Sequence, residues 1–356
     1  MEDLNQILNQ LKQTLALDQL QIGPLKTPLT ISFYEKWIAS DFYADMAYLK
    51  NHLPQKKNPL LIHPDLKSVL TVTQSYFPIL EPLDQLIPAR IATYAQNKDY
   101  HFWLKEKLTQ IILQLKGKYP NHEFLPFVDS GPILERNWAY ENGMGWFGKN
   151  TCLIHPKFGS LFFIAEILTT LPADNFLNLE PLPDFCGKCR KCIDICPTQA
   201  INENHTLKAD QCISYLTIEA KTNPPLELRK KMSDWFFGCD LCQTTCPWNE
   251  KIFKQKEIPK QHATNTENLL NLSATEQSEL IAFFKKILTL SNKQIAKNFY
   301  GTPLFRSGGN GLKRNAMIVI GNRNIFSLRD EVLTYLKHPK LGELASWCVQ
   351  QLDSST

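Results

Sequence analysis

Residues 186–197 read CGKCRKCIDICP and residues 239–247 read CDLCQTTCP, and the cysteine spacing in these two stretches decides how the chain is organised. Cys186, Cys189, Cys192 and Cys196, followed by Pro197, form a C-x2-C-x2-C-x3-C-P run. In such a run three thiolates hold three irons of one four-iron four-sulfur cubane and the fourth reaches to a second cluster. The second stretch supplies Cys239, Cys242 and Cys246 before Pro247, but Phe236 stands where a complete run would place a further ligand. Cys212 is the available substitute. The crossover rule then assigns Cys186, Cys189, Cys192 and Cys246 to one cluster, and Cys196, Cys212, Cys239 and Cys242 to the other. Paired CxxC motifs also bind zinc, yet two C-x3-C-P endings and eight cysteines fit two cubanes better.

Outward from this stretch the chain is ordinary. Its 356 residues, 43% of them hydrophobic, suffice for about two domains at roughly 150 residues each. Leu4, Ile7, Leu8, Leu11 and Leu15 lie on one helical face among polar residues, which describes an amphipathic helix and not the apolar core of a signal peptide. The longest apolar runs, such as residues 161–168, fall well short of the ~20 residues a membrane span requires. A cytoplasmic protein with no membrane partner is expected. In that compartment thiols stay reduced, so ten cysteines point to metal or redox chemistry rather than disulfides. Cys152 and Cys348 are left over and read as buried structural thiols.

Residues 1–180 alternate strand-like and helix-like patterns, the signature of an α/β domain. Strands are expected at 68–77, 122–128, 151–155 and 161–168, with a helix over 100–119 and another opened by Pro132 in its first turn and running toward Asn142. A proline-rich linker at 172–183 precedes the two-cluster domain, residues 181–262, and residues 263–356 read as all-helical. Residues 311–322 with 328–336 resemble one helix pair of a HEAT-type repeat. Between Lys285 and Lys340 there are eleven lysines and arginines against two acidic residues, a face suited to a polyanion.

Gly143, Gly145 and Gly148 satisfy GxGxxG, but a helix-like segment precedes them and strand-like residues follow, the reverse of a dinucleotide fingerprint. The loop reads instead as a place where backbone approaches something flat or large.

At this point the residues resemble the epoxyqueuosine reductases, a family that completes the queuosine base of certain tRNA anticodons. The likeness rests on Asp99-Tyr100-His101, Val128-Asp129-Ser130-Gly131-Pro132 with Glu135-Arg136, NGMGWFGKNT at 142–151, the paired cysteine motifs, CISYLTIE at 212–219, GCDLCQTTCPWN at 238–249 and Arg314-Asn315-Ala316. It spans nearly the whole chain. It implies cobalamin bound in the N-terminal domain beside the nearer cluster, base-off and without a histidine ligand. The Asp-x-His-x-x-Gly signature is indeed absent after Asp99. It also implies a ferredoxin-like two-cluster domain, a HEAT-like region that holds tRNA carrying epoxyqueuosine, a separate electron donor, and a monomer.

By the same resemblance Asp129 is the catalytic proton donor, and Asn150, Leu153 and Ser214 contact cobalamin. Asp129 is then expected to be a carboxylic acid whose pKa a partly apolar site raises, although Asp-Ser-Gly-Pro at a strand end is also good turn and helix-cap chemistry. His101, at the start of an apolar helix, reads as a packed or capping residue. Two other readings remain: a different corrinoid and iron–sulfur reductase, such as a reductive dehalogenase, and a ferredoxin-like electron carrier without catalysis.

Overall fold

Leu4, Leu8 and Leu11 recur at helical spacing and form the buried side of α1 (Glu2–Thr14). In the computed structural model, which describes residues 2–76, 87–173, 180–255 and 273–354, that side lies on a sheet. The strands are β1 (Gln19–Pro24), β2 (Ser68–Ser75), β3 (Arg90–Ile91), β4 (Phe124–Phe127), β5 (Trp146–Phe147), β6 (Leu153–Ile154), β7 (Phe162–Thr169) and β8 (Trp235–Phe237). The helices that position the site are α2 (Tyr100–Lys118), α3 (Glu135–Glu141), α4 (Ile213–Ile218), α5 (Ala274–Thr289), α6 (Gly308–Arg323) and α7 (Gly342–Asp353).

Four strands form one sheet in the order β1-β2-β7-β4, and each neighbouring pair is antiparallel. The alternation of strands and helices expected for residues 1–180 is present, but without the parallel crossovers that the α/β pattern usually implies. Hydrophobic periodicity locates elements; it does not say which way a strand runs beside its neighbour. The period of two sorts side chains to opposite faces. Leu70, Val72, Ala165 and Ile167 pack under α1 and α2. Val69 and Leu168 face Ile133 and Trp138 of α3.

The glycine-rich loop is a hairpin in which β5 pairs antiparallel with β6. A Cβ on Gly145 would stand 2.5 Å from the Ile154 carbonyl oxygen, and one on Gly148 would stand 2.5 Å from Ile154 Cδ1. These glycines therefore admit the hairpin's own second strand. Six of the expected linker residues, 174–179, lie outside the described residues.

One apolar cluster runs from the cysteine-bearing segment into the helical end, joining Phe236 and Phe237 of β8 to Phe284 of α5, Met317 and Ile320 of α6, and Leu344 and Cys348 of α7. Helix α6 packs against β8, α5 and α7. Asn315, fully buried at its centre, donates through Nδ2 to the carbonyls of Thr217 (2.7 Å) and Phe236 (2.9 Å). The expected helix at 328–336 shortens to Arg329–Leu333.

Candidate active site

Strand β4 delivers Asp129 to a tight turn, where its φ of +58° is left-handed and the Ser130 amide donates to the Val128 carbonyl. Aspartate tolerates that conformation better than most residues. Pro132 falls in this turn and not in the first turn of α3, which begins at Glu135. The helix thus starts three residues later than expected, because the chain must first reverse around Asp129.

Asp99 caps α2 by accepting the His101 amide at 3.0 Å, so the first helical turn aims Tyr100 and His101 at Asp129. All three close partners of Asp129 gather on Oδ2. The Tyr100 hydroxyl donates at 2.7 Å, Arg306 Nη1 donates at 3.2 Å, and His101 Nε2 stands at 3.5 Å. His101 Nδ1 is 2.7 Å from Asp99 Oδ1. Arg306 also pairs through Nε with Glu219, just beyond α4. The result is an Asp99–His101–Asp129–Arg306 chain drawn from three segments far apart in sequence. Asp129 remains 45% exposed at its end.

Electrostatics reverse one expectation. Burial pushes the Asp129 carboxyl up, but the hydrogen bond from His101, the Arg306 charge and the Tyr100 hydroxyl outweigh it and hold the group well below the usual carboxylate range. Burial alone would lower His101, whereas its bonds to Asp129 and Asp99 raise it to about 9. Asp129 is therefore the base of the pair at rest, and His101 carries the titratable proton. In the sequence His101 reads as a packed or capping residue; the signal for its role is its place directly after Asp99-Tyr100.

Beneath the turn lies a second ionisable group. Lys56, 6% exposed, donates to the Ile133 carbonyl at 2.9 Å. Burial lowers its pKa, raises Glu135 to about 7 and raises Glu166 of β7.

Cys186, Cys189, Cys192 and Cys246 line one cavity of about 230 Å3 with Trp248 against it. Among the described residues no three His, Cys, Asp or Glu side chains converge on a single ion; these four instead surround a volume. Cys239 follows β8, Cys212 caps α4, and burial together with their mutual proximity raises the thiols of Cys212, Cys239 and Cys242, with Cys196 acting on Cys212. Buried thiols of this kind become thiolates when a cationic iron centre compensates the charge. Cys189 is exposed, whereas Cys212 and Cys242 are only partly accessible. Cys348 is buried as expected, but Cys152 lies close enough to Cys242 and Cys246 to interact electrostatically with both.

Asn150 donates to the Cys242 carbonyl at 3.2 Å, and Ser214 is two residues past Cys212 in the first turn of α4. Both positions thus flank the set containing Cys212 and Cys242. Asn150 and Leu153 are both buried, with 5% and 3% of the whole residue exposed.

Of the eleven basic residues between Lys285 and Lys340, five are committed internally, which corrects the picture of one continuous polyanion face. Arg306 holds Asp129, Lys285 pairs with Glu331 at 2.9 Å, and Arg329 pairs with Asp353 at 2.7 Å. Arg314, 3% exposed, donates to the carbonyls of Ala220 and Thr222, and Lys313 lies buried over the Tyr335 ring. Lys286, Lys293, Lys297, Lys337 and Lys340 are exposed.

Residues 185–249 match the family described as a 4Fe-4S double cluster binding domain, which with the acid–base chain defines an iron–sulfur oxidoreductase. Residues 56–130 match the family described as epoxyqueuosine reductase QueG, DUF1730. The chain belongs to the epoxyqueuosine reductase family: it is 32% identical to the enzyme of Escherichia coli over 98% of this chain and 90% of that one. The Leadbetterella byssophila relative is 42% identical over 60% of this chain and 69% of its own. A crystal structure of selenomethionine-labelled epoxyqueuosine reductase superposes with a TM-score of 0.76 at 26% identity, covering 99% of this chain and 91% of that one. Another, of epoxyqueuosine reductase with an epoxyqueuosine-modified tRNA-Tyr stem loop, gives 0.76 at 25% identity, covering 99% and 90%. Among the described residues no helix is long and apolar enough to cross a membrane.

Proposed function

We propose that this chain reduces the epoxide of epoxyqueuosine in a tRNA anticodon loop, taking up two electrons and two protons and releasing an alkene and water. The observation that carries the reading is the Asp99–His101–Asp129–Arg306 chain in a member of this family. A departing epoxide oxygen needs a proton at the moment its carbon bond breaks. Asp129, a carboxylate at rest on an exposed turn, takes that proton from His101 and passes it to the oxygen. His101, oriented by Asp99, supplies the proton, because the imidazolium is the member of the pair that holds a proton at neutral pH. Tyr100 and Arg306 fix the Asp129 carboxylate between turns of the cycle.

In this reading Cys186, Cys189, Cys192 and Cys246 hold the outer cluster, since Cys189 is exposed, and Cys196, Cys212, Cys239 and Cys242 hold the inner one. Cobalamin would be held at Asn150, Leu153 and Ser214, base-off and with no histidine on cobalt. Both ring nitrogens of His101 are already engaged by carboxylates, in keeping with that absence. When bound, the clusters supply single electrons from a separate donor and cobalamin supplies a strongly reducing centre. The helical end, residues 263–356, would help to hold tRNA.

The test is direct. Anaerobic protein loaded with iron, sulfide and cobalamin receives a chemical reductant and epoxyqueuosine-containing tRNA, and the digested nucleosides are analysed. Queuosine should form, and D129N should stop it with cluster content intact. Failure of the fully loaded wild type would sink the reading.

A further inference from the structure

Three large aromatic rings stand out of the surface immediately beside Asp129. Phe102 is 50% exposed, Tyr300 68% and Phe305 45%. They touch in series, with ring centroids 6.1 Å apart between Phe102 and Tyr300 and 5.8 Å between Tyr300 and Phe305. Their placement is tied to the site covalently and by a backbone bond. Phe102 follows His101, Phe305 precedes Arg306, and the Asp99 amide donates at 2.9 Å to the carbonyl of Gly301, next to Tyr300.

Leaving three contiguous rings in water costs free energy that folding could have recovered by turning them inward, so a shared exposed patch marks a binding surface. The charges around it select the occupant. Lys105 lies one turn from Phe102 on α2 and Lys297 one turn before Tyr300; both are exposed. Aromatic faces interleaved with cations fit unpaired nucleobases on a phosphate chain. A lipid surface would ask for an apolar helix face, and a protein partner would not explain rings that abut a catalytic turn.

We infer that Phe102, Tyr300 and Phe305 form a stacking platform for the unpaired bases that flank the reacting nucleotide in the RNA loop. The platform rests on the reading that the substrate is a tRNA, and deepens it by naming what holds the loop open at the site. Because the rings sit on α2 and on the turn before α6, bases stacked there would bring the reacting nucleotide to Asp129 from the side of Arg306.

The experiment measures binding of an anticodon stem-loop RNA to the whole cofactor-loaded protein, by anisotropy and by fluorescence of 2-aminopurine placed next to the reacting position. F102A, Y300A and F305A should each weaken binding by about 5- to 100-fold, the range expected for losing one base stack. Y300F and F102Y should bind like wild type. The slope of log Kd against log salt should be unchanged in the ring variants and shallower in K297A, because stacking releases no counterions. A blunt RNA duplex without a loop should not distinguish wild type from the variants. Equal stem-loop binding by wild type and a folded triple variant would overturn the platform. So would a solution dimer of the wild type that the variants dissolve. If the wild type itself fails to bind the stem loop, the tRNA reading has failed, and not the platform alone.

Discussion

Replacing Asn315 by alanine isolates the joint between the helical end and the cysteine-bearing segment. The side chain is fully buried and donates to the carbonyls of Thr217 and Phe236, while Oδ1 accepts from Arg314 Nε at 3.1 Å. Alanine removes both donors and leaves two buried carbonyls without them. At about 1 kcal/mol for each bond, plus desolvation that is no longer compensated, the loss is about 2–4 kcal/mol. For a chain of this size that lowers Tm by about 3–5 °C. The effect should also be local in a measurable way. Thr217 lies in α4, which Cys212 caps, and Phe236 lies in β8, which leads through Gly238 to Cys239. Loosening both elements should release iron from one cluster while sparing the other. Thermal unfolding by circular dichroism and iron determination after anaerobic reconstitution read the two effects, with about half the wild-type iron expected. A variant within about 2 °C of wild type and with full iron would show that Asn315 is not the joint.

C212A and C246A should each halve the iron content but leave different cubanes, distinguishable by their electron paramagnetic resonance after partial reduction; identical residual signals would contradict the crossover assignment. Turnover should fall as pH rises through about 9, where His101 loses its proton, and H101Q should be slow at every pH without that limb. E166Q should fold with stability within about 1 kcal/mol of wild type at neutral pH, because burial already disfavours the charged form of Glu166. An acid whose folded pKa is raised holds its proton as pH climbs above the unfolded value of 4.5, so stability declines across that window; urea titrations at several pH values should show a shallower decline in E166Q. K286E and K293E should weaken tRNA binding without changing Tm, whereas R314M, at a buried guanidinium bonded to Ala220 and Thr222, should destabilise the fold.

Much of this protein is written locally. Cysteine spacing is a covalent property of the chain, so a double-cluster domain could be read without coordinates. Helical and strand periodicity likewise located α1, α2, β2 and β7. Direction, contact and charge state are different in kind, because they depend on segments the sequence does not juxtapose. No periodicity says that β2 and β7 run antiparallel, or that Gly145 clears the Ile154 carbonyl. Arg306 reads in sequence as one more cation of a basic tail; the fold carries it 177 residues back to Asp129. That contact, with His101 and Tyr100, turns the expected carboxylic acid into a carboxylate and moves the proton to a histidine. The sequence by itself determined which residues could do the chemistry, since residue type and spacing are local. Only the tertiary structure decided which of them holds the proton, since a pKa is set by the charges that folding brings within a few ångströms.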